Sequence, residues 1–290
     1  MIRVQGKSET TYEISLKTTQ ARVEVLKGLL QNQGIAENQI VELAKDGCFY
    51  LSLYFKDAAK ARKIRKRLTV FKLRHVSIQS KFLKKKDWQN KWKADFKSFK
   101  MTSRFRVVPD WLKKKYPEKS RNIYIGTGLA FGTGMHATTR FMARMIERRS
   151  NPSQRFLDIG TGTGILTLVA LKCGAREVTA IDISREAIKT AKANFLGNGF
   201  TTFRLKAVGL QKFNDHKKYD FVAANLITYD LIAMGRKIVS LVKPGKYLAV
   251  SGISLNNYEH FREYFDRLPL CCLKIEKGDG WAALLYKRIK

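Results

Sequence analysis

The chain has 290 residues and a formal net charge of +32, from 56 Lys+Arg against 24 Asp+Glu. Two domains fit that length, and 44% apolar residues exclude disorder as the main state. No apolar run approaches the ~18 residues of a membrane span, and Met1–Lys17 carries no signal-type apolar stretch.

The first 80 residues read as strand, helix, two strands, helix, strand. Thr11–Lys17 alternates Tyr12, Ile14 and Leu16 with polar neighbours, the period of a strand. Thr19–Leu30 places Ala21, Val25, Leu26, Leu29 and Leu30 at helical spacing, and Gln33-Gly34 ends it. Ile40–Ala44 and Cys48–Phe55 flank Lys45-Asp46-Gly47, a hairpin signal. Asp57 is placed to cap a helix running to Leu68, and Val70–Ile78 reads as a closing strand. This β-α-β-β-α-β order is that of a ferredoxin-like α+β domain.

The second helix carries Lys60, Arg62, Lys63, Arg65, Lys66 and Arg67 around a narrow apolar stripe of Ala61, Ile64 and Leu68. It reads as a helix with a basic solvated face, or as a docking face for RNA or an acidic protein. The charge excess is spread along the chain, with net +18 over residues 1–120 and +14 over 121–290. Such a spread fits a bias of the host proteome as well as a nucleic-acid partner.

Residues 81–115 join the two parts. Lys84-Lys85-Lys86 leads into Trp88, Trp92, Phe96 and Phe99, whose spacing predicts one face of a linker helix. From residue 120 on strands and helices alternate, the mark of a mainly parallel α/β sheet. Arg155–Ile159, Glu177–Ile181, Tyr219–Ala224 and Lys246–Ser251 read as strands, with Thr163–Lys172 and Ser184–Leu196 as helices. Cys271–Ile275 and Ala282–Tyr286 around Gly278-Asp279-Gly280 read as a closing antiparallel hairpin. Cys48, Cys173, Cys271 and Cys272 form no CxxC pair and no zinc spacing, which fits a reducing cytoplasm and no metal site.

The chemistry concentrates in Asp158-Ile159-Gly160-Thr161-Gly162-Thr163-Gly164, where a strand turns into a helix. Glycines let a bulky cofactor lie against the backbone. A dinucleotide fingerprint would be G-x-G-x-x-G, and Ile165 occupies the position of its third glycine. Asp158 suits a cationic cofactor such as S-adenosylmethionine better than a pyrophosphate, with NAD the competing reading. Asp182 ends the next strand, where an acid reaches ribose hydroxyls; a helix cap is its alternative, and Ser184 already suits that role. Asn225 ends the following strand, either as a helix cap or facing the site, where its carbonyl would orient a substrate amine. Upstream, Gly126–Thr139 is rich in small residues, as in a loop that folds over a ligand. Thr138 and Thr139 are placed to cap the next helix or to bind a carboxylate at its N-terminus.

Phe131-Gly132-Thr133-Gly134-Met135-His136-Ala137-Thr138-Thr139 resembles the FGTGTHPTT signature of the PrmA family, the methyltransferases of large-subunit ribosomal protein L11. Asp158–Leu166, Ala224-Asn225-Leu226, Leu248–Ile253, Asp87-Trp88 through Trp92 and Val108-Pro109-Asp110-Trp111 carry the same likeness. The resemblance implies a ferredoxin-like recognition domain over residues 1–80, a linker region over 81–115, and a class I methyltransferase domain over 116–290. It implies S-adenosylmethionine held by Thr139, Gly160, Asp182 and Asn225, with Asp158 and Gly162 in the same loop and Phe131 and His136 lining the pocket. The substrate it implies is the ribosomal protein's lysine and N-terminal amines, methylated by a cytoplasmic monomer with ribosomal RNA nearby. Met135, Ala137 and Gly126-Thr127 depart from the family pattern. Two other readings stand beside it: a methyltransferase for another protein's lysine, and an RNA-binding module with a vestigial cofactor site.

Overall fold

The computed structural model describes residues 10–19, 22–35, 40–45, 48–55, 57–70, 76–84, 97–126 and 134–289. Asp46-Gly47, Lys85-Lys86, Trp88, Trp92, Phe96 and Phe131 therefore lie outside the described residues. The chain divides into two compact units, residues 1–96 and 97–290.

In the first unit the elements are β1 (Thr10–Thr18), α1 (Val23–Asn32), β2 (Ile40–Lys45), β3 (Cys48–Phe55), α2 (Ala58–Val70) and β4 (Ser77–Lys84). The strands form one antiparallel sheet in the order β2-β3-β1-β4. Ile14, Leu16, Leu51 and Leu53 pack on Leu26, Leu30, Ala61, Ile64 and Leu68 of the helices. Asp57 Oδ1 accepts from the Ala59 N–H at 2.7 Å and starts α2. Two sequence expectations shift here. Val70 belongs to α2, and β4 runs from Ser77 to Lys84, across residue 80. β4 pairs with β1 from Lys84 opposite Thr10 to Ser77 opposite Lys17. Its length follows that distant partner rather than local pattern, and the Glu13 carboxylate meets Lys81 at 3.0 Å.

The second unit opens with β5 (Phe99–Lys100), β6 (Arg106–Pro109), a 3-10 turn (Asp110–Lys115) and β7 (Asn122–Ile125), which form a three-stranded sheet in that order. Phe99 is thus in a strand opposite Val107, not on the expected linker helix. Then follow α3 (Ala137–Arg149), β8 (Arg155–Ile159), α4 (Ile165–Lys172), β9 (Glu177–Asp182), α5 (Arg185–Gly197), β10 (Arg204–Ala207), β11 (Tyr219–Asn225), α6 (Thr228–Ser240), β12 (Val242–Ser254), α7 (Tyr258–Phe265), β13 (Leu270–Gly278) and β14 (Trp281–Arg288). The sheet order is β10-β9-β8-β11-β12-β14-β13. β8 to β12 run parallel, and β14 is antiparallel to both neighbours.

The strands of this sheet read as apolar runs because helices cover them: Leu157, Val222, Ala224, Leu248 and Val250 are fully buried. The strand order reverses between β8 and β11, the position where such sheets bind ligands beyond the carboxyl ends of their strands. Asp158 pairs there with Ala223, two residues before Asn225. No helix of the described residues is long and apolar enough to cross a membrane.

Candidate active site

The loop from β8 to α4 folds on its own glycines. Gly160 has φ +74°, and a Cβ on it would lie 2.6 Å from Leu226 Cδ2. Gly164 has φ +81° and caps α4; its Cβ would lie 2.4 Å from the Phe195 ring. The Gly164 requirement therefore comes from packing of α4 on α5, a reason beyond the cofactor clearance expected from the sequence. The Gly160 and Thr161 N–H groups donate to the Ile181 carbonyl at 2.9 and 3.1 Å, tying the loop to the end of β9.

Asp158 sits below this loop, 1% exposed. Its Oδ2 accepts from the hydroxyls of Thr161 and Thr167, each at 2.8 Å. Its Oδ1 is buried and has no partner among the described residues. Burial pushes the carboxyl up to about 6, although the two threonine hydroxyls pull it down. A buried acceptor without a donor costs about 1–3 kcal/mol. The arrangement fits a cationic ligand group as the donor to Oδ1.

Asp182, half-buried at the end of β9, accepts the Gly162 N–H on Oδ2 at 3.0 Å and the Ser184 N–H on Oδ1 at 2.9 Å. Each oxygen keeps a second lone pair for a hydroxyl donor. Asp182 does not cap α5; Ser184 does, accepting from the Ala187 N–H at 3.2 Å.

On the other side of the switch point stands α3. Its cap is His136, so of the two readings of Thr138 and Thr139 the helix cap does not hold: the His136 ring accepts from the Thr138 N–H at 3.4 Å. Thr138 and Thr139 lie inside the first turn, 2% and 1% exposed. The Thr139 hydroxyl has no partner among the described residues. A hydroxyl beside the N–H groups of a helix start suits a carboxylate. Asn225, at the end of β11, sends its amide Nδ2 to Thr138 Oγ1 at 3.3 Å. It does not cap α6, whose cap position is Ile227 and carries no side-chain bond.

Trp281 was not singled out from the sequence. It opens β14 opposite Ser254 and meets the His136 ring edge-on, with centroids 5.2 Å apart. Its only local signal is an aromatic after the Gly-Asp-Gly turn; its place comes from β14 lying beside β12. The described site residues thus fall into two groups, Asp158 with Gly160, Gly162 and Asp182, and His136 with Thr138, Thr139, Asn225 and Trp281. Among the described residues no group of three or more His, Cys, Asp or Glu could hold a metal.

This sheet order, with the glycine loop, the acid after β9 and the asparagine after β11 at its switch point, defines a class I methyltransferase domain. The chain matches the family model for ribosomal protein L11 methyltransferase (PrmA) over residues 2–289. The ribosomal protein L11 methyltransferase of Staphylococcus aureus strain bovine RF122 is 28% identical over 247 residues, 82% of this chain and 79% of that one. That of strain USA300 / TCH1516 is 29% identical over 216 residues, 74% and 69% of the two chains. The crystal structure of ribosomal protein L11 methylase from Lactobacillus delbrueckii subsp. bulgaricus superposes with a TM-score of 0.62 at 26% identity, covering 67% of this chain and all of that one. The chain belongs to the ribosomal protein L11 methyltransferase (PrmA) family. It is an S-adenosylmethionine-dependent methyltransferase.

Proposed function

We propose that this enzyme methylates amines of large-subunit ribosomal protein L11, at lysine side chains and the N-terminal α-amine. The observation that carries the site assignment is the pair of buried oxygens without partners among the described residues, Asp158 Oδ1 and Thr139 Oγ1. One matches the ammonium and the other the carboxylate of a methionyl group. In this reading Asp182 receives the ribose hydroxyls, Gly160 and Gly162 present backbone beside the cofactor, and His136 lines the pocket.

S-adenosylmethionine, when bound, supplies a methyl group on a sulfonium. Asn225 acts on the amine that receives it. With Nδ2 committed to Thr138, the Asn225 Oδ1 is left to accept an N–H of the incoming amine and to aim its lone pair. Catalysis here is mainly positioning. His136 is a poor general base, because its Nδ1 is already engaged by the Thr138 hydroxyl at 2.8 Å and by the Thr138 N–H. The amine loses its proton to solvent.

We read the expected domain over 1–80, carried to the end of β4 at Lys84, as a ferredoxin-like domain that recognises the substrate, and the catalytic domain expected over 116–290 as taking in β5 and β6 from the expected linker 81–115. The β2-β3-β1-β4 antiparallel order supports the first assignment, and β13 with β14 supports a closing hairpin. We read the enzyme as a cytoplasmic monomer, a reading that a ribosomal-protein substrate supports. One observation favours a second reading, another protein's lysine: Met135, 57% exposed beside His136, stands where the family pattern has threonine. Intact-mass measurement of L11 after incubation with the full chain and S-adenosylmethionine tests the choice. Whole-methyl increments support L11; an unmodified L11 alongside a methylated lysine in another protein favours the second reading.

A further inference from the structure

We propose that the outer face of α2 binds folded RNA, gripping phosphates on both sides of a groove. Ala61, Ile64 and Leu68 of this helix are buried in the core of the first unit. Lys60, Arg62, Lys63, Arg65, Lys66 and Arg67 are all exposed. At about 100° and 1.5 Å per residue the six cations fan over roughly 220° of the helix along about 10 Å. Among the described residues none of the six pairs with a carboxylate; Arg67 donates to Gln33 Oε1 at 3.3 Å. Asp57, the nearest acid, accepts the Ala59 and Lys60 N–H groups as the helix cap.

An ordinary solvated helix face interleaves both signs of charge. Here Lys60 with Lys63, Arg62 with Lys66 and Lys63 with Arg67 are like-charge neighbours, which destabilise the helix. The first turn also holds Lys60 and no acid of its own at the positive end of the helix dipole. A polyanion relieves both costs. The apolar stripe already lies in the protein core, so no apolar face remains to enter a lipid surface. A flat acidic protein patch engages one side of this ridge. A ridge with cations on both flanks matches the two phosphate strands that border a groove in helical RNA. This surface is made by residues of the first unit, none of them among the candidate site residues, and the proposal does not depend on which amine is methylated.

The test is binding of a fluorescent RNA hairpin to the full chain across a salt series. Each neutralised phosphate contributes about 0.7–0.9 to the slope of log K against log salt. Replacing Arg62, Lys63, Arg65 and Lys66 by Gln should weaken binding at least tenfold near 0.1 M salt and flatten the slope by about 3. Lys63→Glu alone should weaken it severalfold with little disturbance of the fold. Replacing Lys189, Lys192, Lys212 and Lys218, exposed cations of the second unit, by Gln removes the same charge and should change binding less than twofold. Equal losses from the two quadruple variants would overturn the proposal in favour of net charge. So would wild-type protein that binds no RNA near 0.1 M salt, or polyglutamate that competes as well as RNA of equal charge.

Discussion

The Asn225 amide donates to Thr138 Oγ1 at 3.3 Å, although the two residues stand 87 positions apart on β11 and α3. The Thr138 oxygen also lies 2.8 Å from His136 Nδ1. His136 Nδ1 also accepts from the Thr138 N–H, so it carries no proton; the Thr138 hydroxyl therefore donates to it, and its oxygen is left to accept from Asn225, which fixes the direction of the chain of bonds. The relay sets which end of the Asn225 amide faces the reacting amine.

Thr138→Val removes the hydroxyl at constant shape and frees the amide to turn. The turnover number for methyl transfer should fall about tenfold, while the affinity for S-adenosylmethionine stays within twofold, a split measurable by steady-state kinetics with calorimetry. Equal turnover in the variant would remove the relay from the mechanism.

Asn225→Ala takes away the group that holds the amine. Methyl transfer should drop about a hundredfold or more, with the thermal midpoint nearly unchanged, since Asn225 caps no helix. A rate equal to wild type would end its positioning role.

Asp158 gives the site a pH dependence. Its carboxyl is raised to about 6 by burial. For the folding equilibrium this contribution is fully present below the unfolded value near 3.8 and is lost as pH rises through about 6. For binding the sign is opposite: the ionised carboxylate holds the methionyl ammonium. Affinity for S-adenosylmethionine should fall as pH drops below about 6, approaching tenfold per unit at pH 5. Asp158→Asn should bind weakly and without this slope; calorimetry showing a parallel pH profile in the variant would contradict the assignment.

Asp182→Ala should weaken S-adenosylmethionine at least tenfold, through loss of the hydroxyl acceptors and release of the Gly162 N–H. Unaltered calorimetric affinity would take Asp182 out of the site.

Gly164→Ala probes packing rather than chemistry. It forces a side chain to φ +81° with its Cβ 2.4 Å from the Phe195 ring. Left-handed strain and overpacking together should lower stability by about 3 kcal/mol, read as a reduced denaturation midpoint. An unchanged midpoint would show that Phe195 yields at no cost.

The parts of this site legible in the sequence are those made by one strand and its following loop. Asp158, Gly160, Gly162 and Asp182 announce themselves because glycines and an acid at strand ends have few other uses. Asn225 was readable only with a helix cap as an equal alternative, because its partner Thr138 comes from another element. Trp281 against His136 and the His136 cap of α3 depend on which strands become neighbours, which no local pattern records. The same holds for β4, whose lysines hide its strand period until Glu13 neutralises Lys81. Phe99 failed as a helix residue because its spacing matched a helix while its pairing with β6 decided the outcome.

The most direct measurement is to supply methyl-labelled S-adenosylmethionine with separated large-subunit ribosomal proteins and ribosomal RNA, then locate the label by mass spectrometry. The account predicts label on L11 amines with wild-type enzyme and almost none with Asn225→Ala. Label in ribosomal RNA with none in protein would contradict it.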